Sequence, residues 1–228
     1  MIIKICGIQN EDTLLCCEKN NVNFFGMIFY RNSPRNITID NANNLQKKSK
    51  NLNINGVGVF VDKNINELKQ IIRSIKLRFV QLHGSEDNTY IKTVKKTGVK
   101  VIKSISVSNQ QDLNKIDKYH NVDYFLFDYK PMKNELPGGN AKTFDWNLLK
   151  NLKTDKPWFL SGGININNIN LTRNDLIVDF EIIYSNPLIR TRRKEFKLSD
   201  GDLNDIYNSR TFCLYEDIDF IKRMRTYG

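Results

Sequence analysis

The chain opens on a short apolar run that delivers a thiol, Ile2-Ile3-Lys4-Ile5-Cys6, and a glycine follows where the chain must turn, Gly7. Side chains alternate along a strand, so Lys4 and Cys6 share one face while Ile3 and Ile5 share the other. Similar chemistry recurs at the ends of later apolar runs. Tyr30-Arg31-Asn32-Ser33-Pro34-Arg35 carries two guanidinium groups, and Val80-Gln81-Leu82-His83-Gly84 ends in a histidine followed by a glycine. Phe125-Leu126-Phe127-Asp128 ends in a carboxylic acid, and Leu160-Ser161-Gly162-Gly163 in a glycine pair. A nucleophile or base, an acid, a histidine, an arginine fork and a glycine pair therefore sit at equivalent places. A planar guanidinium suits a carboxylate bidentately. Paired glycines bring backbone N–H groups close to a phosphate.

These residues converge only if the runs are parallel strands of one sheet. Short apolar runs do alternate with longer amphipathic ones, the pattern of repeated βα units. Strands are expected at Ile2–Cys6, Phe24–Phe29, Gly56–Val61, Phe79–His83, Lys100–Ser104, Tyr124–Asp128, Trp158–Ser161 and Leu176–Phe180. Helices are expected at Asn10–Lys19, Asp40–Ser49, Asn64–Ser74, Asp87–Lys96, Asn109–Lys118 and Asp145–Leu152. Several begin on capping residues; Asn64 stands three residues before Glu67, a cap reinforced by an acidic first turn. The strand count is that of an α/β fold, a single (β/α)8 TIM barrel, whose chemistry lies at the C-terminal rim. A doubly wound open sheet is the alternative, but no G-x-G-x-x-G follows the first strand.

At 228 residues the chain has the size of one such barrel. Its cysteines (Cys6, Cys16, Cys17, Cys213) show no metal spacing, and His83 and His120 are the only histidines, which argues against a histidine-rich metal site. The sequence starts directly on a strand, reads without a leader peptide and has no apolar run long enough for a bilayer. A cytoplasmic protein with reduced thiols is expected. The net charge of +10 raises the question of nucleic acid. The lysines, however, are scattered along helices (Lys47, Lys48, Lys50; Lys92, Lys95, Lys96), and the aromatic residues lie inside apolar strands rather than on stacking platforms. A basic surface attracting a small anionic substrate accounts for the charge without nucleic acid or membrane partners.

In this order, the segments resemble phosphoribosylanthranilate isomerases. The resemblance rests on Lys4-Ile5-Cys6-Gly7, Gly26-Met27-Ile28-Phe29, Ser33-Pro34-Arg35, Val57-Gly58-Val59-Phe60 and Gln81-Leu82-His83-Gly84. It continues through Asp128, Gly138-Gly139, Lys142-Thr143-Phe144-Asp145-Trp146 and Ser161-Gly162-Gly163-Ile164. The ordered set is specific where each member alone is weak. It implies an Amadori rearrangement of an anionic phosphosugar-anthranilate, with no redox cofactor or metal, by a monomer or homodimer. An acid must protonate the sugar ring oxygen and a base must take the proton from C2. The family's pattern makes Cys6 the base, with a pKa lowered by cations, and Asp128 the acid, with a pKa raised by apolar neighbours. It makes Arg35 the partner of the anthranilate carboxylate and puts Gly162, Gly163 and Asp179 among the substrate-binding residues. His83 either contacts substrate or holds the rim by hydrogen bonds.

The pattern breaks at the eighth strand. Val178-Asp179-Phe180 fits, but Glu181-Ile182-Ile183-Tyr184-Ser185 replaces the family's Ser-Ser-Gly continuation, which completes the phosphate cup. A unit charge about 4 Å from the phosphate repels it by about 4 kcal/mol at an effective dielectric near 20. Either another segment closes the cup or phosphate binding is impaired. Ala141 likewise stands where the family has a third glycine. Residues 1–185 are read as the barrel and 186–228 as a divergent C-terminal segment that includes the closing helix. It carries a basic run (Arg190, Arg192, Arg193, Lys194) and Leu214, Ile218 and Ile221 at helical spacing. A catalytically silent barrel, or another phosphate-binding epimerase or lyase, are the competing functions.

Overall fold

A computed structural model describes residues 2–140, 142–164 and 168, and the backbone of 177–181. Eight parallel strands close into a barrel in chain order. They are β1 (Ile2–Cys6), β2 (Phe24–Ile28), β3 (Asn55–Phe60), β4 (Phe79–Leu82), β5 (Lys100–Val107), β6 (Tyr124–Tyr129), β7 (Trp158–Leu160) and β8 (Ile177–Glu181). Closure is made by β8 on β1, with Lys4 opposite Asp179 and Cys6 opposite Glu181. The connecting helices are α1 (Glu11–Lys19), α2 (Ile39–Ser49), α3 (Ile65–Ile75), α4 (Asn88–Lys95) and α5 (Gln110–Leu113). The (β/α)8 architecture expected from the alternation is the one observed.

Each helix starts where a short polar side chain satisfies an exposed backbone N–H. Asn10 accepts from Thr13 N, Thr38 from Asn41 N, Asn64 from Asn66 and Glu67 N, Asp87 from Tyr90 N and Asn109 from Asp112 N. Four of these caps, Asn10, Asn64, Asp87 and Asn109, lie just outside helices that the sequence reading began on them, whereas α2 starts on Thr38, two residues before the expected Asp40. α3 buries Leu68, Ile71, Ile72 and Ile75 against the sheet. Each such side chain contributes about 1.5–3 kcal/mol of burial free energy.

Two expected α-helices are different. Asn109–Lys118 is α-helical only to Leu113 and continues as a 3-10 helix, Asn114–Lys118, and Asp145–Leu152 is a 3-10 helix over Trp146–Asn151. In the first, Leu113 and Ile116 are the buried apolar residues. Their spacing of three matches the 3-10 repeat, and no apolar residue stands at the next α position. The strand ends also move by one to three residues; β5 runs on to Val107 because Ile105 and Val107 keep pairing with β6. The proposed 186–228 segment, with its closing helix, lies outside the described residues, as do Ala141 and 182–185.

The alternation read from the first strand holds. Ile3 and Ile5 join Leu14, Cys17 and Leu68 in the core between sheet and helices. Inside the barrel, Val57, Phe79, Ile102, Leu126 and Phe159 form an apolar layer nearer the strand N-termini. Phe24 packs edge-on against Phe79 and Phe159, at ring distances of 5.2 and 6.0 Å. Above it the interior turns polar, with Gln81, Ser104, Asp128 and Ser161 buried beside Cys6, Ile28 and Val59. The apolar plug thus ends below the rim and leaves a polar floor there. Among the described residues no helix is long and apolar enough to cross a membrane.

Candidate active site

Cys6 ends β1 and faces the barrel interior, only 2% exposed. Its neighbour on β2 is Gly26, and a Cβ there would stand 2.8 Å from the Cys6 sulfur. The Gly26 carbonyl accepts from both Gly7 N (2.9 Å) and Ile8 N (3.0 Å), which locks the turn after the cysteine. Gly7 holds φ +97°, and a Cβ on it would meet Arg35 Cδ at 2.6 Å. The glycine is thus required twice, for its backbone and for the arginine stem laid across it. Arg35 is only 6% exposed although it comes from a loop. That loop turns through Ser33, whose hydroxyl accepts from Arg35 N and whose own N–H donates to Tyr30 O.

Asp128 lies near the end of β6 on the inner face. Its Oδ1 accepts from Tyr129 N at 2.7 Å, and its Oδ2 stands 3.3 Å from His83 Nε2. The other ring nitrogen, Nδ1, lies 3.0 Å from Gln81 Nε2 and 3.1 Å from Ser104 Oγ. The amide nitrogen of Gln81 can only donate, so Nδ1 accepts from it, and this leaves Nε2, the nitrogen nearer Asp128, as the one to carry a ring proton. Of the two readings left open for His83, these contacts fit the one in which it holds the rim.

Gly162 and Gly163 follow β7 with φ +86° and +62°. A Cβ on Gly162 would stand 2.8 Å from Tyr129 N and 2.9 Å from Asp128 Oδ1; one on Gly163 would stand 2.7 Å from the Lys142 carbonyl carbon. The pair therefore lies between the acid and the Lys142-Thr143 loop. Lys142 in turn pairs with Glu135 and covers the Tyr129 ring at 5.7 Å. Its ammonium is the main reason Glu135 titrates below the ordinary carboxylate range. The structure therefore gathers Cys6, Arg35, His83, Asp128 and the glycine pair around the rim. Asp179 is placed by its backbone, level with the buried Lys4 two residues below Cys6.

Three contributors escaped the sequence reading. Gln81 was legible in principle, because it stands two residues before His83 and so shares its face. Ser104 stands beside His83 on the neighbouring strand, one step past the Leu82–Lys103 pair of β4 and β5, a register that only the paired sheet reveals. The Lys103–Glu86 ion pair behind the rim, with both side chains 1% exposed, carries no local sequence signal.

A closed parallel barrel with a thiol, a carboxyl, a buried guanidinium and positive-φ glycines at one rim defines an enzyme of the (β/α)8 class. Residues 3–181 match the family model described as N-(5'-phosphoribosyl)anthranilate isomerase. The chain is 40% identical over 172 residues to the N-(5'-phosphoribosyl)anthranilate isomerase of Sinorhizobium fredii, covering 74% of this chain and 76% of that one. The Thermotoga maritima phosphoribosyl anthranilate isomerase crystal structure superposes with a TM-score of 0.68 at 29% identity, covering 79% and 88% of the two chains. A phosphoribosyl anthranilate isomerase structure in complex with reduced 1-(o-carboxyphenylamino)-1-deoxyribulose 5-phosphate superposes at 0.64 with 27% identity, covering 79% and 87%. The chain belongs to the N-(5'-phosphoribosyl)anthranilate isomerase family, and it is an isomerase of tryptophan biosynthesis.

Proposed function

We propose that the rim performs the Amadori rearrangement with Asp128 as general acid and Cys6 as general base. Asp128 protonates the furanose ring oxygen as the bond from C1 to that oxygen breaks, which leaves a protonated imine, an iminium, at C1 and the anthranilate nitrogen. Cys6 takes the proton from C2, the electron pair shifts toward C1 and nitrogen, and the enol so formed tautomerises to the ketone. Proton transfers complete the reaction, so it consumes no redox cofactor.

His83 acts on Asp128 rather than on substrate. When the acid has given up its proton, its Oδ2 faces the Nε2–H of the ring and its Oδ1 keeps the Tyr129 amide. Both donors meet charge that develops in the transition state, where such interactions are most effective. Arg35 takes the anthranilate carboxylate, Gly162 and Gly163 present amides to the phosphate, and Asp179 completes the substrate-binding set. The substrate is a small anion drawn in by the basic surface. The enzyme works in the cytoplasm as a monomer or homodimer, without nucleic acid.

The observation that carries this assignment is the shared placement of Cys6 and Asp128 on the inner face at the ends of β1 and β6, with a donor beside each Asp128 oxygen. Cys6→Ala and Asp128→Asn are each expected to lower kcat by about 10² or more, with the fold retained by circular dichroism. Near-parental kcat in either purified variant removes that residue from the mechanism. Parental protein that turns over no phosphoribosylanthranilate would instead mark a silent barrel.

A further inference from the structure

We propose that the buried Lys103–Glu86 pair is a positioning device that fixes His83, and through it Asp128; this rests on the role given to His83 above. Lys103 is on the outer face of β5, between the inward Ile102 and Ser104, and points away from substrate. Its ammonium nevertheless reaches the rim from behind. It donates to Leu82 O (3.3 Å), Gly84 O (2.6 Å) and Glu86 Oε2 (3.0 Å). Those acceptors use all its hydrogens, and the two carbonyls are those on either side of His83.

Glu86 holds the same stretch by its amides. Its Oε2 accepts from Gly84 N at 3.0 Å and its Oε1 from Asp62 N at 3.0 Å. Gly84 is thus gripped at its carbonyl by the cation and at its N–H by the anion. Asp62, itself at φ +44°, accepts from Ser85 N (2.7 Å) and Ser85 Oγ (2.9 Å). A Cβ on Gly84 would stand 2.4 Å from Asp62 Oδ1, so only glycine lets the two loops close on each other. His83 N donates to Phe60 O at 2.8 Å, which ties the residue to β3 as well.

Stability alone does not call for such a pair, because well-packed apolar residues often replace a buried ion pair at no loss. Hydrocarbon cannot bind two carbonyls and two amides at once. The pair turns the backbone around His83 into a fixed frame, while Gln81 and Ser104 fix its ring. Hydrogen bonds to buried charges are the strong ones, so the frame resists rotation of the Leu82–Gly84 peptides. Asp128 then meets Nε2–H at a set distance, and a misplacement of about 1 Å in such a contact costs about 10²-fold in rate.

The test compares the double variant Lys103→Gln/Glu86→Gln, which removes both charges together, with Glu86→Asp, which keeps the charge and withdraws the carboxylate. Activity is counted per folded molecule. We expect kcat to fall by about tenfold or more with KM changed by less than about threefold, the split of a group that acts only in the transition state. His83 and His120 are the only histidines, so ¹⁵N spectra resolve the two rings. The His83 resonances should leave the Nε2–H tautomer pattern in the variants, and those of the exposed His120 should stay.

Lower thermal stability with parental kcat and an unmoved His83 signature would overturn the inference and leave a merely structural pair. Should the double variant not fold, Glu86→Asp decides by the same readouts. His83→Asn in the same assay separates the two claims. Parental kcat there removes the role given to His83, whereas an impaired His83→Asn beside unimpaired pair variants overturns the positioning claim alone.

Discussion

Gly162 and Asp128 occupy space that only glycine allows them to share. A Cβ on Gly162 would stand 2.9 Å from Asp128 Oδ1 and 2.8 Å from the Tyr129 amide that this oxygen accepts from. The backbone of β7's rim loop is therefore one wall of the acid's pocket. Gly162→Ala should lower kcat at least tenfold, because the side chain that moves aside is the proposed acid. Gly98→Ala is the control: its φ is +85°, but nothing lies within 4 Å of the added Cβ. It should cost only the left-handed backbone penalty, about 1–2 kcal/mol, and leave kcat unchanged. Equal kcat in the two variants would mean that Gly162 serves the backbone alone.

On the opposite side of the rim, Gly26 stands to Cys6 as Gly162 does to Asp128. A Cβ on Gly26 would come within 2.8 Å of the sulfur and 3.1 Å of the Cys6 Cα. The second contact is with backbone, so relief requires a shift of β1. Gly26→Ala is expected to reduce kcat and to change the rate at which Cys6 reacts with a small alkylating agent. An unaltered alkylation rate would show that the thiol does not depend on this neighbour.

Arg35→Ala should raise KM for the natural substrate more than it lowers kcat, since the carboxylate is present in ground and transition states alike. A substrate analogue without the carboxylate should not distinguish the variant from the parent. Arg35→Lys should recover little, because an ammonium cannot reproduce a two-pronged contact. Equal losses for both compounds would move Arg35 elsewhere in the site.

Asp112 ties the end of β5 to that of β6. It accepts from Ser108 N and Oγ and pairs with Lys115 (2.6 Å) and Lys130 (3.0 Å). Burial works against its ionisation, but hydrogen bonds from Lys115, Lys130 and Ser108 outweigh it, and the carboxyl titrates well below the ordinary range. A depressed folded-state pKa stabilises the protein above the unfolded pKa of about 4, and that contribution fades as the pH falls below it. Asp112→Asn should therefore cost about 1–2 kcal/mol at pH 7, after allowance for the half-exposed lysines. The gap to the parent in urea unfolding should narrow as the pH drops below about 4. A gap independent of pH would assign the effect to geometry rather than charge.

Much of the fold was legible because its signals are local. The alternation in Ile2–Cys6 put Cys6 and Lys4 on the inner face without reference to anything distant. Asn10, Asn64, Asp87 and Asn109 marked helix starts because each caps an N–H two or three residues away. Rim residues could be recognised for the same reason, since parallel strands in one barrel place every strand end on one side. The 3-10 turns at Asn114–Lys118 and Trp146–Asn151 were missed because helix period is weakly expressed in segments so short.

What the sequence could not express is anything set by distance across the closed interior. It contained Asp128 and His83, but not the 3.3 Å between them, which depends on strand tilt and register over two intervening connections. It offered His83 two roles, and Gln81 and Ser104, from β4 and β5, favour one of them by taking Nδ1. Lys103 and Glu86 stand seventeen residues apart, with no local pattern that joins them. Only packing made them a buried pair, because a lone charge cannot leave water unless a partner and a full set of hydrogen bonds leave with it, and those come from loops that meet only when the barrel has closed.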